Sequence, residues 1–353
     1  MFKLKCDDFL TYDEATGTYS VSADQKVRDE VEKTRWKEIG LKFLTDWRLY
    51  LMLVPMLFVY ICWRYLPMYE LTAVFKDYAI SPATLPSERS WFGLQNFIEL
   101  FTVGSAFYTS FWQAFRNTFI LAFYGLLFGF PLPIILALFF NEIRSNIVRS
   151  IVQVCVYLPK FMSIVVISSL MITLLGGNSS NGPLAQLLMA IGGDFFDTQA
   201  ASGLVNSTYY FRAIYIVSDL WEHVGYDSIV FFAAIIAVSP TSYEAAQIDG
   251  AGKMQQMRYV VIPSILSTVV IMLIMKIGSL LNVSYEKVFL FVTQGAGTQR
   301  NNYAVGSTVS VWANGLSDQG VAMAGEMLNN LIGMCLVIGS NMVSRKATDV
   351  SLY

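Results

Sequence analysis

Polar and apolar residues segregate along this chain in whole segments rather than within single turns. The first 46 residues are rich in Lys, Glu and Asp, and long apolar runs then follow one another almost to the last residue. A hydrocarbon core of roughly 30 Å takes about 20 apolar residues in a helix, which satisfies its own backbone hydrogen bonds in lipid. Six runs qualify: Trp47–Leu66, Asn117–Phe140, Ile151–Leu175, Ala213–Ser239, Ser264–Tyr285 and Val321–Val343. The first has Arg48 and Arg64 at its ends, placed to snorkel. The second is uncharged but holds Pro131 and Pro133, so a kink is expected there. Lys160 beside Pro159 marks the third, Lys276 the fifth and Glu326 the sixth, while the fourth is the least apolar. The pattern predicts an all-α polytopic membrane protein, with residues 1–46 as a solvated extension, 47–343 as the six-helix domain and 344–353 as a tail. Short helices are expected around Asp24–Lys42, and no cleavable signal peptide is read at the start.

Charge orients these spans. With the N-terminus inside, the cytoplasmic pieces hold 15 of the 24 Lys and Arg and the outer pieces hold 5. That bias predicts both termini in the cytoplasm of a cell whose plasma membrane the chain crosses. Composition agrees: 55% of residues are apolar and 14% charged, where soluble domains carry about 45–50% and about 25%. A net charge of −2 gives no electrostatic case for nucleic-acid binding. The four cysteines are scattered, without a CxxC pair, and His223 is the single histidine, so neither a disulfide framework nor a multi-histidine metal site is expected. No metal is predicted.

The connection between the fourth and fifth spans, residues 239–263, reads SPTSYEAAQIDGAGKMQQMRYVVIP. Ser239 is a good N-cap with Pro240 at the first helical position, and Thr241 to Glu244 also fits a capping box. A short helix over Tyr243–Asp249, a turn at Gly250-Ala251-Gly252 and a second helix over Lys253–Val261 are predicted. A solvated connector that merely turns the chain is the plainer reading of the same residues. Ala245 and Ala246 present small surfaces, Glu244 and Asp249 charge, and Ile248, Met254 and Met257 apolar contact.

The order of these residues resembles a known motif. Glu244-Ala245-Ala246, then Gly250, then Val260, Ile262 and Pro263 looks like the EAA loop of permease subunits from binding-protein-dependent ABC importers, EAA-x3-G-x9-I-x-L-P. Val260 and Ile262 are conservative departures, and Met254 and Met257 stand where sugar permeases often have aromatic rings. YLPMYELTAVFKDY, RNTFILAFYGLLFGFPLPIILALFFNEIR, YLPKFMSIVV and SYEKVFLF resemble the oligosaccharide-uptake branch, related to the maltose-type permeases. The resemblance implies a cytoplasmic coupling helix-turn-helix between spans 4 and 5, seated on a partner ATPase through Tyr243, Glu244, Ala245, Ala246, Asp249, Gly250 and Ala251. It also implies a second permease subunit (a heterodimer), an ABC ATPase dimer carrying ATP and Mg, an extracytoplasmic solute-binding protein and a sugar cargo. This chain itself is expected to be no enzyme and to hold no cofactor. GAGKM at Gly250–Met254 fails the P-loop pattern, with Gln247 five residues before Gly252 and Met254 in place of the hydroxyl residue.

Polar residues inside the spans complete the reading. Charges at the bilayer centre cost at least about 2.5–3.5 kcal/mol, so they face protein or water. Asp219, Glu222, His223 and Asp227 share one side of the fourth span. Ser279, Asn282 and Glu286 recur at similar spacing in the fifth, after Lys276. Asp219, Glu222, Ser279, Asn282 and Glu286 offer hydrogen-bonding groups for sugar hydroxyls, and Trp221 and Tyr285 offer rings to stack on, so these seven form a candidate substrate path. Placement of part of this group at the outer headgroup boundary is the competing reading. Two other functions compete with an ATP-driven sugar permease. An ion-coupled secondary transporter would use the acidic residues of span four, although no internal repeat is visible. An intramembrane enzyme would need a nucleophile beside them.

Overall fold

The computed structural model describes residues 10–13, 18–21, 47–77, 90–176, 182–192, 204–206, 209–293 and 305–348. The chain divides into two compact units, Met1–Leu71 and Thr72–Tyr353. The expected helices around Asp24–Lys42 lie outside the described residues.

In the first unit, β1 (Leu10–Asp13) pairs antiparallel with β2 (Thr18–Val21), Leu10 opposite Val21 and Tyr12 opposite Tyr19. The described chain is otherwise helical, as expected, and this short hairpin is an addition to the all-α reading. Alternating Thr, Tyr and Val around Glu14-Ala15-Thr16-Gly17 are good strand formers, a signal on a shorter period than that of membrane helices. Helix α1 (Trp47–Tyr60) follows and runs on through a π turn at Ile61–Tyr65 into a 3-10 stretch, Leu66–Phe75.

The second unit is helical among the described residues: α2 (Gln95–Phe101), α3 (Tyr108–Gly129), α4 (Pro131–Glu142), α5 (Asn146–Tyr157), α6 (Ile164–Leu175), α7 (Pro183–Gly192) and α8 (Phe211–Ile236). Then come α9 (Pro240–Ile248), α10 (Lys253–Gln256), α11 (Leu266–Gly278), α12 (Tyr285–Thr293), α13 (Val309–Asn314) and α14 (Gln319–Thr348). Three helices, Trp47–Phe75, Tyr108–Glu142 and Gln319–Lys346, are long and apolar enough to cross a membrane, and up to six spans result if each of three bent pairs counts as one.

Two expected spans are corrected. The third is two helices meeting at 98°. Pro159 sits in the first turn of a 3-10 stretch, Leu158–Phe161, and Ser163 caps α6, its Oγ accepting from the Val165 amide at 3.3 Å. The fifth stops at Gly278, so Ser279 and Asn282 lie in an irregular connection and Tyr285 and Glu286 on a separate helix, not on one shared face. By contrast, α3 and α4 continue as one 35-residue element despite Pro131 and Pro133, because Pro131 begins α4, where its missing amide donor has no partner to lose.

The 26-residue α8 is the central member, about 39 Å long at 1.5 Å per residue. It packs on α3, α4, α5, α6 and α11. One apolar cluster joins it to α4 and the α10–α11 region through Ala137, Leu138, Phe231, Ile235, Val261 and Ile265. A second, around Phe111 and Trp312, joins α3, α13 and α14. Its indole Nε1 donates to Ser110 Oγ at 3.0 Å, so the buried ring keeps its polar atom satisfied.

Close packing of α8 on α5 depends on Gly225. A Cβ there would run into the backbone carbonyl of Val156, which cannot rotate away. Gly225→Ala is therefore expected to destabilise the fold by about 1–3 kcal/mol, read as a lowered melting temperature of the purified protein. An unchanged melting temperature would mean that α5 and α8 can separate freely.

Candidate functional site

The connection at residues 239–263 forms two helices joined by a tight turn. Ser239 stands at the N-cap of α9 and Pro240 at its first position. Thr241 lies inside the helix, so the expected Thr241–Glu244 capping box is not formed, and Ser239 Oγ instead bonds Thr241 Oγ1 at 2.7 Å. At the other end Gly250 adopts φ +77°, the Gly250 amide donates to Gln247 O at 3.0 Å and the Ala251 amide to Ala246 O at 2.9 Å. That pair of bonds is a Schellman motif, which needs a residue free to take a left-handed conformation. Gln255 Oε1 then accepts from the Gly252 amide at 2.8 Å to start α10. A π turn, Met257–Val261, and one further turn, Ile262–Ser264, lead to a 62° bend at Ile265.

Two contacts hold this pair to α4. Tyr243 is half-buried against the Phe231 cluster, with its side chain hydrogen-bonded to Asn141. Lys253 Nζ reaches Glu142 Oε2 at 3.5 Å. Glu244, Ala245, Asp249 and Gly250 are exposed, as are Ile248 and Met254, while Ala246 and Ala251 are half-buried. Ile248 is 86% exposed and Met254 74%, two bare apolar side chains on a polar connection.

The span-four acids meet cations from other elements. Lys287 of α12 is 0% exposed and stands 2.8 Å from Glu222 Oε2 and 3.3 Å from Asp219 Oδ1. Lys160 approaches Glu222 Oε1 at 3.7 Å, and Lys276 pairs with Asp227 at 2.7 Å. His223 lies between Asp219 and Glu222, at 3.5 and 3.7 Å. Each buried acid is thus matched, as low dielectric demands. Asp219, Glu222 and His223 sit close enough together to hold a cation, but the Lys287 ammonium already occupies that position electrostatically.

A cavity of 230 Å³ opens beside this network, between α3, α8 and the segment after α11. Of the candidate path residues it gathers Asp219, Ser279 and Asn282, together with His223, Lys276 and Tyr215. Asn282 also borders a larger cavity of 550 Å³, between the end of α11 and α14, with Asn329 and Asn330. Glu222 lies behind the first cavity, in the ion network. Trp221 and Glu286 border neither, and Tyr285 packs on Phe289 at 5.5 Å.

Comparison with known proteins decides the family. Residues 129–325 match the family model described as "Binding-protein-dependent transport system inner membrane component". The Bacillus subtilis polygalacturonan/rhamnogalacturonan transport system permease protein YteP is 34% identical over 91% of this chain and 95% of its own length. The chain belongs to this family.

Protein LplB of the same organism is 31% identical over 86% of this chain and 91% of its own. Among solved structures, a chain of a bacterial ABC transporter involved in the import of the acidic polysaccharide alginate superposes with a TM-score of 0.73, at 33% identity, over 88% of this chain and 99% of that one. This binding-protein-dependent inner-membrane component is therefore an ABC permease embedded in the membrane by apolar helices. The family match spans α4 to the start of α14, and so takes in the α9–α10 pair and the ion network.

Several residues at this permease's site escaped the sequence reading. Lys287 is one of the five cations that the charge count places in the outer pieces, but it is a fully buried counter-ion. A lysine inside the apolar run Tyr285–Thr293 was the available signal. Asn329 and Asn330 lie one turn past Glu326, and polar residues so placed in an apolar span were the sign of a lined cavity.

Proposed function

We propose that this permease is one of two membrane subunits of an ATP-driven importer of oligosaccharides rich in acidic sugars; one relative is named for polygalacturonan/rhamnogalacturonan transport and another for import of the acidic polysaccharide alginate. The exposed, doubly anchored α9–α10 pair carries the reading. Its outer face joins Glu244 and Ala245 to the bare side chains of Ile248 and Met254, while Tyr243 and Lys253 tie it to α4. A partner ATPase dimer gripping that face moves α4 and, through Phe231 and Ile265, α8 and α11. Tyr243 then serves as the inward anchor, and Glu244, Ala245, Ala246, Asp249, Gly250 and Ala251 as the docking surface. Closing the ATPase on ATP favours one of two arrangements of the spans because the docking contacts differ between them.

In the same reading residues 239–263 and both termini lie in the cytoplasm, residues 47–343 form the six-span domain, and 344–353 a tail continuing α14. Sugar passes along the cavity lined by Asp219, Ser279 and Asn282, between this chain and a second, related permease. An extracytoplasmic solute-binding protein delivers the cargo. ATP and Mg belong to the ATPase, and this subunit catalyses nothing. Uptake of oligogalacturonate by vesicles holding the assembled importer is expected to require internal ATP and the solute-binding protein, and to persist when a protonophore collapses the proton gradient. Uptake abolished by the protonophore with ATP present would favour an ion-coupled carrier instead.

A further inference from the structure

Two guanidinium groups stand on neighbouring helices. Arg116 of α3 is exposed and Arg212 of α8 half-buried, near enough for like-charge repulsion. Neither has a carboxylate oxygen within 4.0 Å among the described residues. The other cations of this region are matched: Lys160 and Lys287 to Glu222, Lys276 to Asp227. Arg212 Nη2 donates to Asn117 Oδ1 at 3.1 Å, but its Nε is buried without an acceptor among the described residues. A buried donor left so is costly unless something arrives to accept from it.

Arg212 is also aligned with the first cavity. Arg212 precedes Tyr215, Ile216 and Asp219 by three, four and seven residues, the spacing of one helix face, and all three line the cavity. Asn117, which Arg212 holds, precedes the cavity-lining Leu121 by four. A planar guanidinium fork fits a carboxylate through two parallel hydrogen bonds, and two guanidinium groups close enough to repel exceed what neutral hydroxyls need.

We infer that Arg116 and Arg212 form an anion subsite at the head of this cavity, taking the carboxylate of a uronate residue in the passing oligosaccharide. The inference rests on the reading of the cavity as the sugar path. It adds a charge requirement that the balanced ion network below does not supply.

The test uses the assembled importer in phosphatidylcholine vesicles with internal ATP, given trigalacturonate and a neutral oligomer that the wild type also carries, its methyl ester first. Arg116→Gln/Arg212→Gln is expected to lower uptake of the acid about tenfold and leave that of the neutral oligomer within about twofold. Arg212→Lys, which keeps charge but loses the fork, should lower acid uptake by less while sparing the neutral oligomer. It answers the question alone if the double variant fails to assemble. Equal loss on both oligomers, or no loss, overturns the subsite. A loss appearing only with phosphatidylglycerol present also overturns it, assigning the arginines to lipid headgroups. A wild type that carries neutral oligomers alone removes the subsite and leaves sugar import standing, whereas one that carries no saccharide removes the path as well.

Discussion

Glu244→Arg and Gly250→Pro are each expected to leave the permease inserted and paired while substrate no longer stimulates the partner ATPase, a drop of at least about tenfold. The two changes reach one surface by different physics. Glu244 is exposed and buries no charge of its own, so reversing it disturbs a partner's contact rather than this chain's fold. Gly250 sits at φ +77° and its amide donates to Gln247 O, whereas proline is held near −65° and has no donor. The Schellman turn would open and α9 would lose its fixed angle to α10. Yields should match wild type, since both residues lie outside every buried cluster. ATP hydrolysis measured with and without the loaded solute-binding protein decides the matter, and normal stimulation in both variants would remove the α9–α10 pair as the coupling element.

Lys287→Met is expected to be among the most damaging single changes, costing about 3–5 kcal/mol, because Glu222 at 4% exposure would be left charged beside an apolar side chain. Lys160, 3.7 Å away and part-exposed, compensates only weakly. The double change Lys287→Met/Glu222→Met removes both charges, and most of the lost stability should return. Thermal unfolding of the purified permease in detergent, taken through all four combinations, gives the coupling. Additive losses, with no recovery in the double variant, would show that Lys287 matters for packing and not for its charge.

What was legible beforehand was local. The α9–α10 pair could be placed because Ser239-Pro240, Gly250 and the Glu244-Ala245-Ala246 spacing act within a few residues, through capping and turn geometry that tertiary contacts do not override. The strands Leu10–Asp13 and Thr18–Val21 were equally local, and were missed because the chain was read on the period of membrane helices. Lys287 was misplaced for a different reason: its partner Glu222 is 65 residues away, and no short-range pattern encodes that pairing.

The sequence alone determined that the chain is apolar in helix-length runs, because lipid leaves the backbone no other way to satisfy its hydrogen bonds. It also determined where the polar knuckle between α8 and α11 would turn. Only the tertiary structure decided that the runs bend at Met162 and Ile265, that α11 stops at Gly278, and that Lys160, Lys276 and Lys287 neutralise the acids of α8. Those outcomes depend on which helices come to lie side by side, and in a low-dielectric interior the charge of each side chain is settled by its neighbour in space rather than its neighbour in the chain.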